Sequence, residues 1–207
     1  NKGRAMTSAN KIDEAINCYQ QAISIEPENK LAHFNLGFVF NLTKNFDKAI
    51  DQYDTAIKID GNYSEAFFNR GVTYSNKLNH QRAINDFSAA IKIKFNERFI
   101  FKRAREYEEI GKFSEALDDY SLIINSESLI DNKSTAFCRR GDLQNQMNNH
   151  KKGMPDIEMA ITLQPNNAAY YNNYANGLRT LNQNKEAVKF YKRAIELDYE
   201  SYSAKLN

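Results

Sequence analysis

The chain is 207 residues long, carries a net charge of +2 and is 42% apolar, with 3 Pro, 8 Gly and no Trp. A balance this close to neutral excludes the broad basic footprint of a general polyanion binder, and no apolar run reaches the length that spans a bilayer. The scarcity of helix breakers leaves room for a long succession of helices.

In chain order, residues 1–29 read as the end of one helical unit. Gly3 stands at a close-packed point of its first helix, and Ala15, Tyr19 and Ala22 recur at helical steps. Pro27 stops that helix, because it lacks an N–H and restricts Glu26. Residues 30–63 form a complete unit. Phe34, Leu36 and Phe40, then Ala49, Tyr53, Ala56 and Ile57, recur at steps of three and four, with a break at Thr43-Lys44-Asn45. Residues 64–96 repeat it at an offset of 34: Leu36-Gly37 falls on Arg70-Gly71, Phe40 on Tyr74, Ala49 on Ala83, Tyr53 on Phe87 and Ala56 on Ala90. Gly37 and Ala49 are small because two helices cross closely there.

Residues 97–133 keep Ala104, Tyr107, Ala116 and Tyr120, with Gly111-Lys112 as the turn. Here Ala104 replaces the glycine and Ile123 the second alanine. A longer connector, Asn125 to Lys133, is expected to open the stacking angle to the next unit. Residues 134–167 keep Phe137, Gly141, Ala160 and Pro165, with Gly153 in place of the small alanine. Proline costs about 3 kcal/mol inside a helix but is tolerated in a first turn. The second helix of this unit is therefore expected to begin near Met154, with Pro155 in its first turn. Residues 168–201 carry Tyr171, Ala175, Ala187, Tyr191 and Ala194, and 202–207 are expected to open a further helix. The chain begins within a unit and without Met, which points to a segment of a longer protein.

This pattern resembles the tetratricopeptide repeat. His33, Leu36, Gly37, Phe40, Ala49, Tyr53 and Ala56 stand in that family's places, with Gly61 where Pro is usual. The resemblance implies an all-α solenoid, a right-handed superhelix of antiparallel helix pairs, built as a single array over 1–207. Each pair buries too little surface to be stable alone, and stacking makes one continuous core. In such an array Cys18 and Cys138 lie about three repeats apart, so no disulfide is expected. That suits a reducing, intracellular and cytoplasmic location, with cilium or cytoskeleton as variants.

No catalytic, cofactor or metal constellation is visible. His33, His80 and His150 sit in different repeats without ligand spacing, and His33 falls on a core-facing position. Glu108-Glu109 and Asp118-Asp119 are neighbours that diverge around a helix, so they read as solvated faces. The chain is expected not to be an enzyme.

The resemblance further implies that the first helices of successive repeats line a groove. The residue two before the small one points into it: Asn35, Asn69, Lys102, Arg139 and Asn173. An asparagine amide donates and accepts at once, so such a ladder suits the backbone of a bound segment. The other reading is that asparagine is simply abundant here. Phe38 is either an anchor in the groove or core. Arg98, Lys102 and Arg105 share one helix face, and Arg139 is expected to stand beside them. Together they suit an acidic or phosphorylated stretch of a partner. The competing reading is a solvated basic face neutralised by Glu106, Glu108 and Glu109. Nucleic acid needs a larger footprint. The two-carboxylate clamp of chaperone-binding relatives is not matched, since Arg4 and Glu65 stand where Asn and Lys are needed. The expected function is a non-catalytic scaffold that binds a protein or peptide segment in the groove. The alternatives are a substrate-selecting arm of a larger enzyme, glycosyltransferase-like, or an architectural component of an assembly such as a ciliary complex.

Overall fold

The computed structural model describes residues 11–206, with side chains through residue 199. The positions of Gly3 and Arg4 lie outside the described residues. Among these, all regular structure is helical: α1 (Ile12–Ile25), α2 (Lys30–Leu42), α3 (Phe46–Ile59), α4 (Ser64–Asn76), α5 (His80–Ile93), α6 (Glu97–Glu109), α7 (Phe113–Asn125), α8 (Ile130–Gln146), α9 (His150–Leu163), α10 (Ala168–Thr180) and α11 (Asn184–Leu206).

One backbone device makes the turn inside each repeat. Lys44, Leu78, Gly111, Asn148 and Asn182 all take left-handed φ, between 58° and 72°. In four of the five turns the next N–H reaches back over the helix end. Asn45 bonds the Phe40 carbonyl at 2.8 Å, Asn79 Tyr74 at 2.9 Å, Asn149 Gln144 at 2.8 Å and Gln183 Leu178 at 2.9 Å. This closes the first helix and aims the second antiparallel to it. Four of the five residues are not glycine, so each such turn costs about 1–2 kcal/mol, offset by packing of the helices it joins. Asparagine abundance has a second local cause: the side chains of Asn29, Asn79, Asn96 and Asn167 accept from backbone N–H groups at helix starts. Each such cap contributes about 1 kcal/mol.

The helices pack as two compact units, residues 1–111 and 112–207. In each, neighbouring helices stack as pairs, the α-solenoid that the resemblance implied. In the first unit Ala15, Tyr19, Leu36, Val39, Phe40, Ala49 and Tyr53 make one cluster. Phe68, Ala83, Phe87, Ala90 and Phe99 make the next. The second unit has Cys138, Ala160 and Tyr170 in one cluster and Met154, Ala175, Leu178 and Ala187 in another. The small residues mark the crossings. A Cβ built on Gly37 would lie 2.9 Å from the Tyr53 ring, and one on Gly71 2.8 Å from the Phe87 ring. Tyr53 and Phe87 are fully buried, each contributing about 1.5–3 kcal/mol.

Three expectations are corrected. α9 begins at His150, not near Met154, and Pro155 lies inside it. The Asn148 turn fixes where the helix starts, and exposed Pro155 loses its bond on the outer face. The extra residues after Asn125 do not lengthen the connector to Lys133. They add a turn to the start of α8, which begins at Ile130 after Leu129. No separate helix opens at 202, because α11 runs unbroken from Asn184 to Leu206.

Candidate functional site

In the first unit the first helices of three repeats, α2, α4 and α6, stand side by side. Side chains bridge them near one end. The Asn41 amide oxygen accepts from Thr73 Oγ1 and Asn76 Nδ2, each at 3.3 Å, and Ser75 Oγ donates to Glu106 at 2.6 Å. These contacts make one continuous surface from three helices separated in sequence.

α2 presents Leu31, Asn35, Phe38 and Leu42 at steps of four, three and four. Leu31, Phe38 and Leu42 are 48%, 39% and 51% exposed. Phe38 is thus not core, whereas Phe34 packs on Tyr53 and Tyr63 at 5.9 and 5.1 Å and Phe68 is buried. The amides differ in their engagements. Asn35 is half-buried and makes no side-chain hydrogen bond among the described residues, while Asn69 Nδ2 donates to its own helix, to the Glu65 carbonyl at 2.7 Å.

On α6, Lys102 and Arg105 open onto a cleft of about 320 Å³ bordered by Ser75, Asn76, Leu78, His80, Glu106 and Glu109. Arg98 lies apart from this cleft, its guanidinium 4.6 Å from the Phe68 ring, a cation–π contact. Glu106 is 5% exposed and already engaged, accepting from Ser75 and paired with His80 Nδ1 at 2.8 Å. It makes no ion pair with Lys102 or Arg105, although its carboxylate borders the same cleft, and neither base has an ion-pair partner among the described residues. Glu109 remains as the acid at the rim. Arg139 belongs to the second unit, where it is exposed on α8. Asn173, on α10, donates to Cys138 Sγ at 3.2 Å.

Burial sets the electrostatics around these positions. The Cys138 thiol is pushed up to about 11 by burial, with Asn173 opposing the rise. Burial raises the Glu65 carboxyl, but the Ser64 hydroxyl and Lys94 outweigh it and hold it below its usual range.

A feature that sequence reasoning missed lies between the repeats. Arg70 donates from Nε and Nη2 to Asp86 at 2.8 and 2.6 Å, and from Nη1 to Asp54 of the preceding repeat. Arg140 holds Asp156 likewise at 2.7 and 2.8 Å and Ser121 at 2.9 Å. Arg103 reaches Ser88 at 3.0 Å. Each arginine ties its own helix to the repeat before it. Burial works against the Arg70 charge, yet its two carboxylates raise it further, while burial raises Asp86. The two directions oppose each other, and the two-donor geometry decides for the charged pair. The signal was present in the sequence: Arg70, Arg103 and Arg140 precede Asp86, Asp119 and Asp156 by the same sixteen residues.

His33 is 7% exposed, held between Gln52 at 2.8 Å and the Pro27 carbonyl at 3.0 Å, as its core-facing position predicts. Among the described residues no three His, Cys, Asp or Glu side chains could together hold a metal ion, and no helix is long and apolar enough to cross a membrane.

Models of the TPR repeat match residues 3–43 and 39–77, and models of the tetratricopeptide repeat match 64–97, 134–167 and 168–201. No curated protein matches the chain. Among solved structures, the C-terminal part of a TPR repeat-containing protein from Cytophaga hutchinsonii is 15% identical with a TM-score of 0.80, over 97% of this chain and 79% of that one. MamA is 20% identical with a TM-score of 0.73, over 86% and 96%. YrrB, described as a TPR protein with an unusual peptide-binding site, is 16% identical with a TM-score of 0.69, over 91% and 98%. At these identities the likeness is one of fold.

Proposed function

Because the chain belongs to the tetratricopeptide repeat family, we propose that it is a non-catalytic scaffold for protein–protein interaction, holding a segment of a partner against the surface of α2, α4 and α6. The observation that carries this reading is the pair Lys102 and Arg105. They open onto one cleft and have no ion-pair partners among the described residues, while Glu106 is turned to Ser75 and His80. Like charges held this close repel, and an acidic or phosphorylated stretch of a partner relieves that repulsion through charge-assisted hydrogen bonds. Asn35, whose amide makes no side-chain bond among the described residues, and the side-chain oxygen of Asn69 are suited to the backbone of the same segment. Arg139 and Asn173 hold the corresponding repeat positions in the second unit. The peptide-binding site named for YrrB lends the reading precedent on a similar fold.

The experiment is selection of displayed random peptides on the full chain. Selected peptides are then measured against the Asn69→Arg/Lys102→Glu variant at two salt concentrations. The expected result is weaker binding to the variant and, for the native chain, affinity that falls with salt. Peptides that bind both chains equally, and regardless of salt, overturn it.

A further inference from the structure

We propose that the groove of the first unit takes an amphipathic helix of the partner, apolar on the flank against α2 and acidic on the flank against α6. This rests on the reading above and specifies the shape and polarity of what binds.

The apolar flank comes first. Leu31, Phe38 and Leu42 are exposed on one face of α2, while that helix buries Ala32, Leu36, Val39 and Phe40 on its other side. The stripe is therefore additional to the core face. From Leu31 to Leu42 it runs about 16 Å along the helix axis, or three turns. An extended segment crossing the groove at right angles touches only a part of such a stripe. A helix lying alongside α2 covers all of it, with apolar residues at steps of three and four.

The opposite flank is basic along its first two turns and ends on the acid Glu109, four residues after Arg105. Arg98, Lys102 and Arg105 occupy about 10 Å of α6 at steps of four and three. Between the flanks, α4 supplies a floor with Asn69 and Val72, both half-buried. Its acid, Glu65, stays ionised, but Lys94 at 3.6 Å offsets part of that charge and Ser64 donates to it at 2.9 Å, which weakens its opposition to acids on the partner. Packed neighbours stand about 8–10 Å apart, which separates the α2 and α6 axes by roughly twice that. A helix laid along α4 then lies between the two flanks. Its apolar side meets Leu31, Phe38 and Leu42, and its acidic side meets Lys102 and Arg105. The amide of Asn35, set within the stripe, is placed to meet a polar side chain of the incoming helix.

The probe is a labelled peptide of about sixteen residues with leucines at helical steps on one face and glutamates on the adjoining face. The controls are a scrambled peptide and one with glutamates changed to lysines. Anisotropy is read on the full chain, on Phe38→Asp/Leu42→Asp, on Lys102→Glu/Arg105→Glu and on Asn69→Arg, with circular dichroism reporting folding and helix gain. The proposal expects both control peptides and all three variants to bind at least roughly tenfold more weakly, with helix gained on binding. A probe that binds no better than the scrambled peptide overturns the proposal. If display-selected peptides are nonetheless lost on Asn69→Arg, the groove reading stands without it; if they are not lost, the groove reading falls as well. Self-association of the native chain that Phe38→Asp/Leu42→Asp abolishes also overturns the proposal, in favour of a second copy. The lysine-bearing peptide needs no variant, so the acidic flank is decided even if a substitution unfolds the chain.

Discussion

Gly71 and Gly141 hold the same place in their repeats but not the same surroundings. A Cβ on Gly71 would meet the Phe87 ring at 2.8 Å, whereas one on Gly141 would meet the Gly153 carbonyl at 2.5 Å and Ile157 at 2.7 Å. A ring can tilt by a few tenths of an ångström, but a carbonyl within a helix cannot. Gly141→Ala should therefore lower the melting temperature more than Gly71→Ala, and Gly71→Leu should cost about 1–3 kcal/mol or more. Equal melts for the two alanine variants would show that the crossings relax alike. The arginine clamp makes a second residue-scale prediction. Arg140→Ala leaves the mostly buried Asp156 without its partner and should cost about 3 kcal/mol by denaturant titration. Arg140→Lys should recover little of it, since an ammonium cannot reproduce the two-donor fork. Full recovery would reduce the pair to its charge. The glycines were legible in the sequence because a small residue at a fixed period needs no knowledge of its neighbours. The clamp was not read, although its sixteen-residue spacing recurs, because two charges on different helices look solvated until the helix crossing brings them together.

At the scale of elements, a single strong residue does not decide where a helix starts. Pro155 suggested that α9 begins beside it, yet the helix starts at His150. The left-handed Asn148 turn, shared in kind with Lys44, Leu78, Gly111 and Asn182, outweighs one missing N–H on the exposed face. It follows that Pro155 is a local cost. Pro155→Ala should stabilise the chain, by up to about 3 kcal/mol, and raise its melting temperature. An unchanged or lower melt would mean that the ring contributes packing of its own. The residues after Asn125 were misjudged for a related reason. Asp, Asn and Ser near a connector read as loop, but they also serve in a first helical turn, and α8 uses them so. Ser134 Oγ donates to the Asp131 carbonyl at 3.0 Å inside that added turn.

For the whole molecule, the 34-residue period made the fold legible, because the same crossing chemistry is written out in each repeat. The division at Gly111 into two units was not legible, since it falls inside a repeat. The surface was legible only in part. Arg98, Lys102 and Arg105 could be put on one face from spacing alone, but the cleft shared by Lys102 and Arg105, and the commitment of Glu106 elsewhere, depend on contacts with α4 and His80. Nothing in the sequence separates Leu31 and Leu42 from the core face of an amphipathic helix, and only their exposure reveals a second apolar stripe. The central claim is that the face of α2, α4 and α6 holds a partner segment. Hydrogen–deuterium exchange of the full chain, with and without a display-selected peptide, tests it most directly. The account predicts slowed exchange in α2, α4 and α6 on binding, with α3 and α5 little changed. Protection confined to α3 and α5, or none in the first unit despite measurable binding, would contradict it.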